Sequence, residues 1–124
     1  MTEPIILTTG IYDMVKELLR KKRVTPVEEE LLQNELKTAI QVTRKELPDD
    51  IVNVNRKVTI RDHASQTENE YLFVGTTKSK PSKGKFSIAS AIALATVGRK
   101  TGDVIEWPFK EGTRKIEIVK VEVV

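Results

Sequence analysis

The 124-residue chain contains no cysteine, a single histidine and few aromatic residues, which make up 5% of it. Without cysteine it can form neither a disulfide framework nor a thiolate site. No apolar stretch approaches the roughly 20 residues that span a bilayer, and the opening Met-Thr-Glu-Pro lacks the basic start and apolar core of a signal peptide. We therefore expect no membrane attachment and a cytoplasmic protein.

The positive charge is unevenly distributed. The net charge is +3 and the isoelectric point about 9.2. Up to Leu47 the chain carries eight basic and eight acidic residues, and from there on it carries 13 and 10. In the second part Lys78, Lys80, Lys83 and Lys85 lie together with no acid between them. They predict either a weak nucleic-acid contact, with few aromatic rings on which bases could stack, or a solvated flexible loop.

The first part of the chain has the apolar spacing of a helix. Between Gly10 and Arg23, apolar residues recur every three or four positions and charged residues fill the other side. Thr8 or Thr9 can cap this helix. We therefore predict an amphipathic helix over these residues.

A second helix is predicted immediately afterwards. Thr25 is a suitable N-cap and Pro26 fits the first helical position. The apolar stripe continues to about Glu46, and Pro48 then stops the helix, because the residue before a proline disfavours helical geometry. Two helices joined by a tight turn pack antiparallel, so residues 1–47 are predicted to form a helical hairpin, a short coiled coil.

After residue 48 the apolar spacing changes from near four to two, which indicates strands. Four segments have the alternation or the branched and aromatic content of strands: 57–61, 70–75, 104–107 and 116–123. A polar turn, 62–69, separates the first two, a loop covers 79–85, and a short apolar helix covers 90–97. Residues 48–124 are thus predicted to form a sheet crossed by one helix, and the chain as a whole an α+β protein.

Two details of the sheet are predicted from single residues. Pro108 should end the third strand. In the last strand, Ile116 and Ile118 occupy even positions, whereas Val119, Val121 and Val123 occupy odd ones. A β-bulge near residues 118–119 would keep both sets facing the core.

No set of residues predicts an independent active site. His63 lies in the polar turn beside Asp62 and Ser65, but a Ser-His-Asp site needs an oriented geometry, so we interpret His63 as an exposed turn residue. We interpret Trp107 as a residue that packs in the core or at a domain interface. We therefore expect no catalytic residue, no metal ligand and no cofactor.

Opposite charges meet across the turn between the two helices. Lys22 and Arg23 end the first helix, and Glu28, Glu29 and Glu30 begin the second. Each group complements the dipole of its helix end, and a pair of carboxylates suits a hard cation poorly, since such cations take several oxygen ligands. We interpret these five residues as the charge-complementary tip of the hairpin.

The run SAIALATVGRKTGDVIE at 90–106 resembles the C-terminal signature of the GreA/GreB elongation factors without a gap. In that family a Ser-Pro-hydrophobic-Ala helix is followed by Leu-Leu-Gly, a basic pair, Val-Gly-Asp and a strand. The runs LPDDIV at 47–52 and NRKV at 55–58 are similar to the segment that joins hairpin and sheet in the Rnk branch, the regulator of nucleoside diphosphate kinase. The resemblance covers residues 47–124, and the hairpin only by its architecture.

The resemblance implies an FKBP-like C-terminal domain that binds RNA polymerase at the entrance of its secondary channel. It implies an elongation regulator, which we expect to be a monomer. In the family an Asp-Ser-Pro run at the start of the short helix helps grip the polymerase. The corresponding residues here are Ala89, Ser90 and Ala91, of which only the serine is retained.

The resemblance also raises transcript cleavage, because cleavage-stimulating Gre factors carry acidic residues at the coiled-coil tip that help hold a metal ion. The glutamates at 28–30 stand near the tip here. At 1.5 Å per residue, however, the two predicted helices are only about 20 and 30 Å long. Because of this short reach, and because the charges at the tip pair with one another, we predict a regulator that is not an enzyme and does not stimulate cleavage. The alternatives are a cleavage stimulator that uses these glutamates with magnesium, and a direct nucleic-acid binder.

Overall fold

The computed structural model describes residues 4–124. The chain divides into two compact units, Met1–Leu47 and Pro48–Val124. Each unit contains both helix and strand, which confirms the predicted α+β class. Within residues 4–124, every helix is too short or too polar to cross a membrane.

The first unit consists of two helices flanked by two short strands. In chain order the elements are β1 (Ile6–Thr8), α1 (Thr9–Arg20), α2 (Pro26–Thr38) and β2 (Ile40–Val42). The two strands pair in parallel, with residues 6 and 40 opposite each other. At 1.5 Å per residue the helices are about 18 and 20 Å long. The strand pair was not predicted from the sequence.

Helix α1 forms because one of its faces is apolar. Its buried residues are Ile11, Val15 and Leu19, at the predicted helical spacing. The helix ends at Arg20, three residues before the predicted Arg23. Lys22 has a φ of 55°, in the left-handed region, so the helix cannot continue through it. Thr8 occupies the N-cap position, but its side chain makes no capping hydrogen bond.

Helix α2 begins where the sequence predicts, at a capping box. The Glu28 amide donates to the Thr25 hydroxyl at 3.2 Å, and the Thr25 amide donates to the Glu28 carboxylate at 3.1 Å. Pro26 occupies the first turn. Two backbone N–H groups that a helix start leaves without a partner are thereby satisfied.

The predicted end of α2 at Glu46 is wrong, because the helix stops at Thr38. Ala39 is extended, with ψ at 138°. The Ile40 amide then donates to the Ile5 carbonyl at 2.9 Å, which places residues 40–42 beside β1. Two of those three residues are β-branched and fit a strand well. The partner strand lies more than 30 residues away in sequence, so the spacing of α2 alone gave no sign of it.

The second unit is a five-stranded sheet with one short helix. Its elements are β3 (Arg56–Asp62), β4 (Thr67–Val74), β5 (Lys85–Ser87), α3 (Ala91–Thr96), β6 (Val104–Phe109) and β7 (Gly112–Val123). The spatial order is β5-β4-β3-β7-β6. All neighbours are antiparallel except β4 and β5, which are parallel. The polar turn is shorter than predicted, since cross-strand pairs extend the β3–β4 ladder to Asp62 and Thr67.

The core of this unit lies on one face of the sheet. Every second residue of β3 is buried, from Arg56 to Asp62. The largest side chains with less than 2% exposure are Phe73, Trp107, Ile116 and Ile118. Helix α3 adds buried Ala93, Leu94 and Ala95. The opposite face, called the outer face from here on, carries the alternate residues of each strand.

The prediction that Pro108 ends a strand is wrong, because β6 continues to Phe109 with Pro108 opposite Thr113. β6 is an edge strand, and an edge tolerates a residue without an N–H group because one of its sides has no partner strand.

The predicted bulge in the last strand is confirmed. Thr59 lies opposite Lys120 and Ile60 opposite Ile118, so Val119 is the extra residue. The shift leaves Val121 half-buried, but Val123 is 58% exposed and does not face the core as predicted.

Candidate functional site

The charged residues at the hairpin tip form specific pairs. Lys22 Nζ lies 3.0 and 3.1 Å from the two carboxylate oxygens of Glu29. Close by, Arg20 donates two hydrogen bonds to Glu17, at 2.9 and 2.7 Å. These bonds, with a smaller contribution from Lys21, lower the pKa of Glu17 to about 2. One ion pair, Lys22–Glu29, thus joins the two sides of the tip, and a second group of paired charges lies at the end of α1.

The three glutamates at the tip differ in what they contact. Glu28 is 7% exposed and belongs to the capping box. Glu29 is paired with Lys22, and its side chain is 22% exposed. Glu30 and Arg23 are exposed. Within residues 4–124, no group of three or more acidic, histidine or cysteine side chains is placed to hold a metal ion.

The two helices of the first unit enclose an open groove of about 810 Å³ beside the tip. Its lining combines apolar residues, such as Leu19 and Leu36, with residues of both charges, such as Lys16 and Glu17. The Lys16 ammonium lies 5.8 Å from the centre of the Tyr12 ring. The mixture of charges in the groove favours no single class of ligand.

The start of α3 carries the three residues predicted to contact the polymerase. Ala91 is exposed, and Ala89 and Ser90 are half-buried. The Ala89 amide donates to the Ser87 hydroxyl at 3.0 Å, which fixes the backbone ahead of the helix. The Ser90 hydroxyl oxygen is buried and has no hydrogen-bond partner in the part of the chain that the structure describes. The accessible surface at this point is therefore the Ala91 methyl group and the backbone around it.

The four lysines of residues 78–85 lie at the β5 edge of the sheet. The predicted loop contains two single turns of 3₁₀ helix, Thr76–Lys78 and Pro81–Lys83, before β5 begins at Lys85. All four lysines are exposed. The structure thus brings together, on one edge, the residues that the sequence suggested for nucleic-acid contact.

His63 does not form a catalytic triad. Its Nε2 lies 2.9 Å from Glu117 Oε1, and its side chain is 32% exposed, so it is half-buried rather than the exposed turn residue predicted. The Ser65 hydroxyl bonds to Thr67 at 2.7 Å. The Asp62 carboxylate binds Arg114 instead of the imidazole.

The Asp62–Arg114 contact is a feature that the sequence did not predict. Arg114 Nε donates to Asp62 Oδ2 at 2.7 Å, and the Ala64 and Ser65 amides donate to Oδ1 at 2.9 and 3.4 Å. Arg114 in the first place, and the amides after it, lower the pKa of Asp62. The Arg114 guanidinium also lies 5.1 Å from the centre of the Phe109 ring. Arg114 is 52 positions from Asp62, so no local pattern could have signalled the pair.

The sequence of the second unit matches a known protein family. The family described as "Transcription elongation factor, GreA/GreB, C-term" matches residues 47–123. This chain belongs to the GreA/GreB family. The match covers the five-stranded sheet and the short helix α3, including the residues at its start.

Individual GreA/GreB relatives agree with this assignment. The chain is 40% identical over 90 residues to transcription elongation factor GreA of Clostridium beijerinckii, covering 73% of this chain and 56% of the relative. A GreA of Clostridium botulinum is also 40% identical, over 91 residues, 73% of this chain and 57% of the relative. The matched region is thus little more than half the length of the curated relatives.

Solved structures show the same GreA/GreB fold. The prokaryotic transcription elongation factor GreA/GreB from Nitrosomonas europaea superposes with a TM-score of 0.70 at 27% identity, covering 98% of this chain and 99% of that one. The GreA factor homolog Gfh1 of Thermus thermophilus reaches 0.51 at 16% identity, covering 97% and 99%. The second comparison is evidence for the fold alone.

The comparisons contradict our prediction that the protein is not an enzyme. The relatives at 40% identity are named GreA, the type of Gre factor associated with stimulated transcript cleavage. The prediction depended on the length of the two helices and on the pairing of charges at the tip. The length of the helices gives how far the hairpin can extend, but not how far away the polymerase active site lies. It was therefore not sufficient to exclude a chemical role.

Proposed function

We propose that this protein is a transcription elongation factor that acts on RNA polymerase and docks through its C-terminal unit. One observation carries the proposal: the family match covers residues 47–123, which is nearly the whole of the unit Pro48–Val124. We place the docking site at the entrance of the polymerase secondary channel, as the resemblance implies.

The start of α3 is the contact surface that we propose. Its exposed part is small and apolar, since Ala91 replaces the family's proline and the Ser90 hydroxyl is turned inward. The contact would therefore depend on close packing against the Ala91 methyl group and the adjacent backbone. A charged side chain at position 91 would have to be desolvated on docking, at a cost that a small apolar residue avoids.

The docking test is binding of the full chain to core RNA polymerase, measured by fluorescence anisotropy or co-purification. We expect the Ala91→Asp variant to bind at least tenfold more weakly. The Thr113→Asp variant places the same charge at an exposed position of β7 and should bind like the wild type. No association at micromolar protein, or equal losses in both variants, would refute docking through α3.

A second candidate function is stimulation of transcript cleavage, which the similarity to GreA relatives favours. The carboxylates available for it are Glu30, which is exposed, and Glu29, which would first have to leave Lys22. Glu28 is committed to the capping box. Two neighbouring carboxylates could complete the coordination of a metal ion held mainly by the polymerase.

Stalled elongation complexes with labelled RNA and magnesium test the second candidate. Added protein should shorten the RNA 3′ ends, and the Glu29→Gln/Glu30→Gln variant should lose this effect. The Glu106→Gln/Glu111→Gln variant removes the same charge at exposed positions of the other unit and should retain it. Unchanged RNA ends in the presence of a protein that binds polymerase would reject cleavage while leaving docking in place.

A further inference from the structure

Basic side chains on most of the outer face are matched by acidic ones. The pairs lie on β3, β4 and β7, where long strands run side by side. They are Lys57–Glu70 at 3.9 Å, Arg61–Glu68 at 2.6 Å, Arg61–Glu117 at 3.7 Å and Lys120–Glu122 at 3.6 Å. Exposed pairs of this kind contribute little to stability, but they leave this part of the face with little net charge.

The β5 edge of the same sheet is different, because it holds only basic residues. Lys78, Lys80, Lys83 and Lys85 are exposed, and among residues 4–124 none has a carboxylate within 4.0 Å. The C-terminal unit has 13 basic and 10 acidic residues, and these four lysines account for its positive excess, since nine basic residues remain against ten acidic ones. We call these four residues the lysine edge.

Strand pairing aligns part of the lysine edge into a row. Lys57 lies opposite Leu72, and Leu72 opposite Lys85. Lys85 in turn pairs with Lys80 through two backbone hydrogen bonds, of 2.8 and 3.1 Å. Lys57 lies outside the lysine edge and is also 3.9 Å from Glu70, but it extends the row. With strands about 4.8 Å apart, the row from Lys57 to Lys80 is about 15 Å long. A DNA duplex carries about nine phosphate charges over that distance, so the row suits a polyanion better than a single small anion.

The residues around the lysine edge suit phosphate contact without base recognition. The segment 76–84 has four hydroxyl side chains, Thr76, Thr77, Ser79 and Ser82, and no acidic or aromatic residue. Hydroxyl and lysine side chains are common donors to phosphate oxygens. Stacking on aromatic rings, which gives single-strand binders much of their affinity, has no platform in this segment.

We propose that the lysine edge binds the phosphate backbone of nucleic acid, independently of base sequence. This surface is distinct from the start of α3 and from the hairpin tip, and the proposal does not depend on polymerase docking. A nucleic-acid contact here would add a second, salt-sensitive attachment to a factor that works beside a nucleic-acid-bound enzyme.

A competing explanation is that the lysines protect an exposed sheet edge from pairing with another chain, a common use of lysine on edge strands. The two explanations predict different results for removal of charge. Loss of protection would cause self-association, whereas loss of a phosphate site would weaken nucleic-acid binding and lower its salt dependence.

The experiment uses the full chain with fluorescein-labelled single-stranded RNA, single-stranded DNA and duplex DNA, and with polyglutamate as an acidic polypeptide. Four phosphate contacts predict a slope of log K against log salt of about −2.8 for single strands, or roughly a 50-fold loss of affinity between 50 and 200 mM salt. The Lys80→Gln/Lys83→Gln/Lys85→Gln variant should reduce the slope to about −0.7 and weaken binding at 50 mM salt at least tenfold.

The control variant is Lys110→Gln/Lys115→Gln/Lys120→Gln, which removes the same charge at exposed positions of β7 and the turn before it. It should keep most of the wild-type slope. Four results would overturn the proposal: no binding by the wild type at 50 mM salt, equal losses in both triple variants, equally tight binding to polyglutamate, or self-association of the lysine-edge variant with unchanged nucleic-acid binding.

Discussion

Asp62 shows, at the scale of single residues, how one carboxylate fixes a turn and a strand together. It accepts hydrogen bonds from the amides of the β3–β4 turn and from Arg114 on β7. Its position in the core-facing row of β3 leaves it 9% exposed. An ionised carboxylate in such a place is stable only because these donors replace water.

We predict that Asp62→Asn lowers the urea midpoint at pH 7 and that this difference disappears in acid. Arg114 and the two amides place the pKa of Asp62 below its usual value in the folded protein, whereas in the unfolded chain it is about 3.9. The stabilisation is therefore fully present above the unfolded pKa and is lost as the pH falls through the folded one. Urea titrations between pH 7 and pH 2.5 measure the difference.

The control for Asp62 is Glu106→Gln, which removes one charge from an exposed position of β6. It should leave the midpoint nearly unchanged across the same pH range. A gap between wild type and Asp62→Asn that stays constant down to the lowest pH would show that the carboxylate contributes through its shape rather than its charge.

Residues whose role is local were predictable from the sequence, and residues whose partner is distant were not. Thr25 and Glu28 are three positions apart, so the start of α2 could be identified by inspection. Asp62 and Arg114 meet only because β3 and β7 are neighbours in the sheet, and the inward direction of the Ser90 hydroxyl likewise depends on packing. The candidate site was therefore located along the chain, but its contacts were not.

At the scale of elements, we predict that the capping box sets the stability of the first unit. Thr25→Ala removes the hydroxyl that accepts from the Glu28 amide and should cost about 1 kcal/mol. Thr25→Ser retains the acceptor and should cost much less. Far-UV circular dichroism during urea unfolding measures the change.

Thr77→Ala is the matched control for the capping box, since Thr77 is exposed in a 3₁₀ turn of the other unit. It should leave the helical transition unchanged. Equal losses for Thr25→Ala and Thr25→Ser would mean that the side-chain hydrogen bond is not what holds the start of α2.

Elements defined by their own periodicity were predicted well, and elements defined by a partner were not. The apolar spacing of α1 can be read within that helix, and the shift of apolar residues from even to odd positions can be read within β7. The helix and the bulge predicted from them were both confirmed. β2 exists because β1 is available to pair with it, and Pro108 lies inside a strand because β6 is at the edge. Neither β2 nor the place of Pro108 inside a strand can be predicted from the spacing of apolar residues in its own segment.

At the scale of the whole molecule, the resemblance identified the GreA/GreB family correctly, but the prediction that the protein is not an enzyme was wrong. The signature at 90–106 lies within the family match at 47–123. Absence of catalysis was inferred from the length of the helices and from the pairing of charges at the tip, and the GreA relatives contradict it. Fold and family are properties of the chain, whereas catalysis by such a factor depends on a partner whose shape the chain does not encode.

We predict that residues 48–124 fold without the first unit. This unit has 77 residues, above the size at which small domains usually need a disulfide or a metal, and its buried strands pair with one another.

Trp107 is the only tryptophan and is 1% exposed, so its fluorescence reports the unfolding of this unit alone. The urea midpoint from Trp107 should therefore be the same for residues 48–124 and for the full chain. A lower Trp107 midpoint in the shortened protein would mean that the two units stabilise each other.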